Sequence, residues 1–244
     1  MRNYLETSRT HTYSLLFALP LLLLYELGAA SMEGAGSSLR NGADVLLRSM
    51  LALGGVHSTL AFTAVLIVGA LGIILIEQRR KRVPVKLGTF ALMLLESAAY
   101  AMAFGTVVGT ATAWLMGGVG GKLAADAGAM DKLPMGEGVI LSLGAGIYEE
   151  LFFRVLMVGG LLVLFRSGGL EKKRSAVFAA ILAALLFSAF HYIGPYAYPL
   201  TLSSFTFRFL SGLVFSGLFV IRGFGITAWT HALYDVFLTV ARGG

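Results

Sequence analysis

The chain has 244 residues, of which 57% are hydrophobic and 13% charged. A soluble domain carries about 25% charged residues, so this composition excludes an ordinary soluble fold and points to one integral membrane domain over residues 1–244. Cysteine is absent, which excludes disulfides, thiol nucleophiles and Cys-ligated metals, and the net charge of +6 sits beside apolar spans, as the positive-inside rule requires, rather than forming a nucleic-acid face.

Apolar runs of about 18 residues or more are expected to cross the bilayer. The first, over roughly 13–30, follows Arg2 and Arg9; it resembles a signal peptide but reads as a retained span. The segment "DVLLRSMLALGG" is too short to cross and reads as interfacial or re-entrant. The second span covers about 57–77 and the third about 87–117, with a Gly/Ala/Asp-rich loop after it. The remaining four cover about 136–165, 176–194, 199–221 and 224–241. Lipid tolerates only helices or closed barrels, and runs this long are helices. The expected fold is therefore all-α, a polytopic bundle of seven spans, or eight if the short segment also crosses, around a polar intramembrane cavity. "EQRRKRVPVK" (77–86), "RSGGLEKKR" (166–174) and Arg222 make alternate loops basic. That alternation places the N-terminus in the cytoplasm and the C-terminus outside, in a membrane expected to be bacterial.

Charges within the spans cost a few kcal/mol each at a helix centre, so they need partners or a function. "GAGIYEELFFRVLMVGG" (144–160) holds three. Glu150 and Arg154 are four apart and share a face, whereas Glu149 lies about 100° around the helix. Arg154 can therefore fix Glu150 while Glu149 stays free to take a proton. His191 follows Phe187 by four residues in the fifth span, and His231 precedes Asp235 by four in the seventh, where a carboxylate can orient the imidazole. Taken singly, each is as readily a buried salt bridge or a satisfied histidine. Ionisable groups on three spans, however, should face one interior, and together they can activate water and stabilise an oxyanion. GxSxG and HExxH are both absent. Glu26 and Glu96 read as structural partners of polar backbone or of a base such as Arg208. Arg208 would pair with one of them or receive a substrate carboxylate. Gly212 and Ser216 are spaced for close helix packing.

"EELFFR" (149–154), "FSAFH" (187–191) and "HALYD" (231–235) fit EExxxR, FxxxH and HxxxN/D in that order. This trio resembles the CAAX protease and bacteriocin-processing (Abi) family, related to the type II CAAX prenyl endopeptidases, over about residues 136–240. The resemblance implies intramembrane hydrolysis of a peptide bond in a membrane-associated peptide or protein: a prenylated-type C-terminus, a leader peptide or a C-terminal sorting anchor. Catalysis would fall to Glu149, Glu150, His191, His231 and Asp235, with Arg154 and Phe187 in support. Glu149 and His191 would polarise water, and His231 with Asp235 would bind the oxyanion. The family's commonest residue at that last place is asparagine, and Asp235 can donate there only if protonated. Two chemistries stay open: Glu149, His191 and His231 as ligands of a divalent metal such as Zn²⁺, or the same groups acting on water directly. A catalytically inactive immunity or scaffold protein and a proton-coupled transporter are the competing readings. The transporter reading predicts matching broken helices in two halves, and the sequence shows none.

His191 falls near the outer end of its span, while Glu149 and His231 fall nearer the middle. The cavity is therefore expected either to be reached by an extended fifth helix or to open outward, gated by "YIGPYAYP" around Tyr196 and Ala197.

Overall fold

A computed structural model describes residues 4–34, 39–117, 133–194 and 197–243. Most of the Gly/Ala/Asp-rich loop and Tyr196 of the expected gate lie outside these residues. Every regular element among the described residues is helical: α1 (Tyr4–Ser8), α2 (His11–Gly34), α3 (Gly42–Leu53), α4 (Thr59–Lys81), α5 (Leu87–Leu115), α6 (Met135–Gly144), α7 (Gly159–Ser167), α8 (Lys172–Phe190), α9 (Leu202–Arg222) and α10 (Phe224–Gly243). Two π-helical segments, Ala145–Glu149 and Leu151–Val158, join α6 to α7, so residues 135–167 form one continuous helical run.

Five helices, α2, α4, α5, α8 and α9, are long and apolar enough to cross a membrane. The protein is an all-helical integral membrane bundle. The other two long runs, 135–167 and α10, carry the ionisable motifs, and the first is divided by its π segments. Residues 138–154 and the first half of α10 are largely buried, whereas α7 has no buried residue. α10 packs against α2, α5, α6 and α9, and it meets the first π segment at Gly146. A Cβ at Gly146 would lie 2.5 Å from both the Ala228 carbonyl oxygen and the Ala232 methyl, so only glycine lets these backbones touch. Gly212 does the same for α9 against α8, where a Cβ would lie 2.9 Å from Ala184 Cα.

Polar contacts tie one end of the bundle together. The Thr12 amide and hydroxyl donate to Glu77 at 2.6 and 2.9 Å, Tyr13 donates to the Pro84 carbonyl at 2.9 Å, and Arg9 to the Val220 carbonyl at 3.2 Å. These contacts join the start of α2, the end of α4, the segment leading into α5 and the end of α9, beside the basic segment 77–86. Arg222 was expected as a loop cation at this end. It is instead buried, 3% exposed, and holds Glu96 through two bonds of 2.6 and 2.8 Å. The reason is the connection itself: α9 passes into α10 through Gly223 alone, at φ +84°, leaving no loop to solvate a cation.

The opposite end carries α3. Twelve residues rise about 18 Å, short of the roughly 30 Å hydrocarbon core, so α3 does not cross. Asp44 and Arg48, on its inner face, join Glu26 and Arg40 in a buried charge cluster. Arg40 reaches Glu26 at 3.0 Å and Asp44 at 3.2 Å; Arg48 reaches Glu26 at 2.7 Å and Asp44 at 2.5 Å. Tyr148 donates a short bond to Glu26 as well. Neither Glu26 nor Glu96 pairs with Arg208, because each finds a nearer arginine at its own end of the bundle.

Candidate active site

Glu149 and Glu150 sit where the two π segments meet. In a π turn the backbone bonds i to i+5, which widens the helix and re-aims side chains; such turns are frequent at functional sites. The two carboxylates diverge. Glu150, fully buried, accepts from His231 Nδ1 at 2.7 Å and faces Arg154 Nε at 3.1 Å. Arg154 is 1% exposed, and its guanidinium lies 4.5 Å from the Phe187 ring centre and 5.4 Å from that of Phe215. The aromatic faces supply part of what water would have given the cation. His231 stacks on Phe215 with centroids 4.4 Å apart, and its Nε2 faces an Asp235 oxygen at 3.5 Å. An imidazole between two carboxylates is thus built by a helix pair that Gly146 brings into contact.

Glu149 turns the other way. One oxygen accepts from the Asn41 side-chain amide at 3.0 Å, and the other lies 3.9 Å from His191 Nε2. That second oxygen is buried without a hydrogen-bond partner among the described residues. His191 caps α8, which ends at Phe190, so the helix does not extend past it. Its Nδ1 is 2.8 Å from the Phe187 carbonyl. A carbonyl only accepts, so Nδ1 carries the hydrogen and Nε2 presents a lone pair toward Glu149. Two acceptors therefore face each other across the gap. A single water, with two O–H donors, would satisfy both.

These groups line a cavity of about 660 Å³. Asn41, Glu149, Phe187, His191, His231 and Asp235 all face it, together with Tyr198 and Arg208; Glu150 and Arg154 lie behind the wall. Its remaining lining comes from the α3 end, including Ile193, Gly194 and Arg242, so it opens away from the basic segment 77–86. Tyr198 belongs to the aromatic segment expected to gate it. The Arg208 guanidinium lies 3.9 Å from the Tyr198 ring centre and donates to the Ser204 hydroxyl and carbonyl.

Residues 132–237 match the family model of the type II CAAX prenyl endopeptidase, Rce1-like. The match is confined to the motif-bearing region, where the chain is similar to that family. Comparison with curated proteins and with solved structures gave no match. The CAAX protease match begins just before α6 and ends two residues after Asp235, so it contains all three motifs and excludes α2 and α3. Asn41, Tyr25 and the charge cluster come from outside it.

The three residues named as possible metal ligands are not drawn together. Among the described residues no group of three His, Cys, Asp or Glu side chains could hold an ion. Glu149 and His191 approach each other, but the two nitrogens of His231 face Glu150 and Asp235. As arranged, Glu149, His191 and His231 do not fit one metal. Asn41 was not singled out in the sequence. Its signal was there as an Asn-Gly pair opening an amphipathic segment too short to cross, the mark of a helix N-cap.

Proposed function

We propose that the protein is an intramembrane endopeptidase in which a water between Glu149 and His191 attacks a peptide bond of a membrane-associated substrate. The pair of facing acceptors, Glu149 Oε2 and His191 Nε2 at 3.9 Å, carries this reading. Water donates one hydrogen to each. Glu149 takes a proton as the oxygen attacks the carbonyl carbon, and then returns it to the departing amine nitrogen, so the step needs no external acid. His191 holds the second hydrogen and fixes the direction of attack. His231, held by Glu150 at Nδ1, offers the developing oxyanion the hydrogen on Nε2, which Asp235 faces only at the long distance of 3.5 Å. Glu150 and Arg154 fix that ring and touch no reacting atom.

Arg208 bears on the substrate. The two acids that could have neutralised it are paired elsewhere, and among the described residues it makes no ion pair. Stacked on Tyr198 in the same cavity, it is a receptor for a carboxylate, which favours substrates cut near a free C-terminus over internal leader cleavage. The N-terminus is assigned to the cytoplasmic face with the basic segments, so the cavity opens to the far side.

The test uses purified protein in liposomes with membrane-anchored peptides, products being read by mass spectrometry. Glu149→Ala and His191→Ala each abolish cleavage while the fold is retained. Unchanged products from both variants would place the chemistry elsewhere.

A further inference from the structure

We infer that Asn41, contributed from outside the family-matched region, is a positioning residue that orients Glu149 for attack. This rests on the peptidase reading of Glu149. The amide is fixed in sense as well as place. Asn41 Oδ1 accepts from the Ala43 N–H at 2.8 Å as the N-cap of α3, so the nitrogen must be the end that points at Glu149, where it donates at 3.0 Å. The backbone is fixed too. The Asn41 N–H donates to the Tyr25 hydroxyl at 2.9 Å, and that hydroxyl donates to Asp44 at 2.8 Å. Asp44 is clamped by Arg40 and Arg48, which also grip Glu26 on α2. The cluster holds the start of α3 against the π segment and delivers one neutral donor to one oxygen of Glu149.

The consequence is selective. With Oε1 held by the amide, the carboxylate plane is set and Oε2 faces His191. Without that donor the carboxylate can rotate, and the two acceptors lose their alignment on a shared water. A neutral donor suits the task. An arginine here would compete with the water for Glu149, and the chain keeps its arginine on Glu150 instead.

The variants separate the donor from the cap. Asn41→Ser and Asn41→Asp both keep a good helix cap but remove the amide donor; Asn41→Ala removes both. In the liposome assay, Asn41→Ser should lower kcat about 10- to 100-fold, the effect of losing a hydrogen bond to a charged group, with KM and Tm near wild type. Asn41→Asp should lower kcat further, because it sets a second carboxylate against Glu149 among the charges already around it: Glu150, Arg154, His191, His231, Asp235 and Arg40. A second readout needs no turnover. Labelling of Glu149 by dicyclohexylcarbodiimide, quantified by peptide mass spectrometry, should change severalfold in Asn41→Ser. Wild-type kcat and labelling in Asn41→Ser overturn the inference, as does a kcat loss that merely tracks Tm across all three variants. Altered labelling in a protein that cleaves no peptide keeps the contact and removes the peptidase reading. Cleavage that depends on Glu149 but not on Asn41 does the reverse.

Discussion

Replacing Arg154 with methionine leaves a fully buried carboxylate short of its cation. Removing one member of a buried ion pair costs about 3–5 kcal/mol. Glu150 keeps its 2.7 Å bond from His231, so the Arg154→Met cost should sit near the lower limit, about 3 kcal/mol. Glu150→Gln leaves the opposite orphan, a guanidinium 1% exposed whose Nε and Nη1 already lack hydrogen-bond partners among the described residues. Its cost should be about 4 kcal/mol. The double variant removes both charges and keeps a side chain that can accept from His231. It should lose only about 2 kcal/mol, where independent effects would give roughly 7. The assay is reversible unfolding in mixed micelles with increasing SDS, followed by tryptophan fluorescence, for wild type and all three variants. Additive losses would refute the claim that Arg154 exists to neutralise Glu150.

Gly146→Ala should destabilise the bundle by about 3 kcal/mol or block its assembly, because the new methyl would lie 2.5 Å from the Ala228 carbonyl oxygen; yield and unfolding of the purified variant report it. Arg208→Gln should raise KM about 10-fold or more for peptides ending in a free carboxylate and leave C-terminally amidated peptides unchanged, measured as paired kcat/KM values. Exhaustive chelation, with residual metal quantified, should leave cleavage within twofold of the untreated enzyme; a loss restored by Zn²⁺ would show that Glu149, His191 and His231 rearrange around an ion.

The bundle was readable because lipid makes two signals agree: apolar length and the placement of basic residues. The spacing in "EELFFR" and "HALYD" also fixed local geometry, since residues four apart on a helix must meet, as Glu150 and Arg154 do at 3.1 Å. What the sequence concealed is long-range. Arg222 looked like a loop cation because no periodicity reveals that Gly223 is the whole connection or that Glu96 waits 126 positions away. Glu26 and Arg208 looked like partners because both are lone charges in apolar text; only packing shows that α3 folds back to bring Arg40 and Arg48 to Glu26 first. The π turns were hidden as well, since the sequence around Glu149 has the apolar content of an ordinary helix.

The two adjacent glutamates owe their different chemistry to what each is given. Glu150 receives an imidazole N–H on one oxygen and a guanidinium 3.1 Å from the other, which make it a fixed support for His231. Glu149 receives a single neutral amide, and its second oxygen is left facing a histidine lone pair. A site meant only to lock helices would have paired both carboxylates, since an unpartnered buried oxygen costs about 1–3 kcal/mol or more. Arg40, which immediately precedes Asn41 in the chain and lines the same cavity, is spent on Glu26, Glu33 and Asp44. Among the described residues no arginine or lysine pairs with Glu149, while Arg40, Arg48 and Arg154 pair with other acids. That distribution leaves its second oxygen open to a reactant, which a structural salt bridge does not require and hydrolysis does.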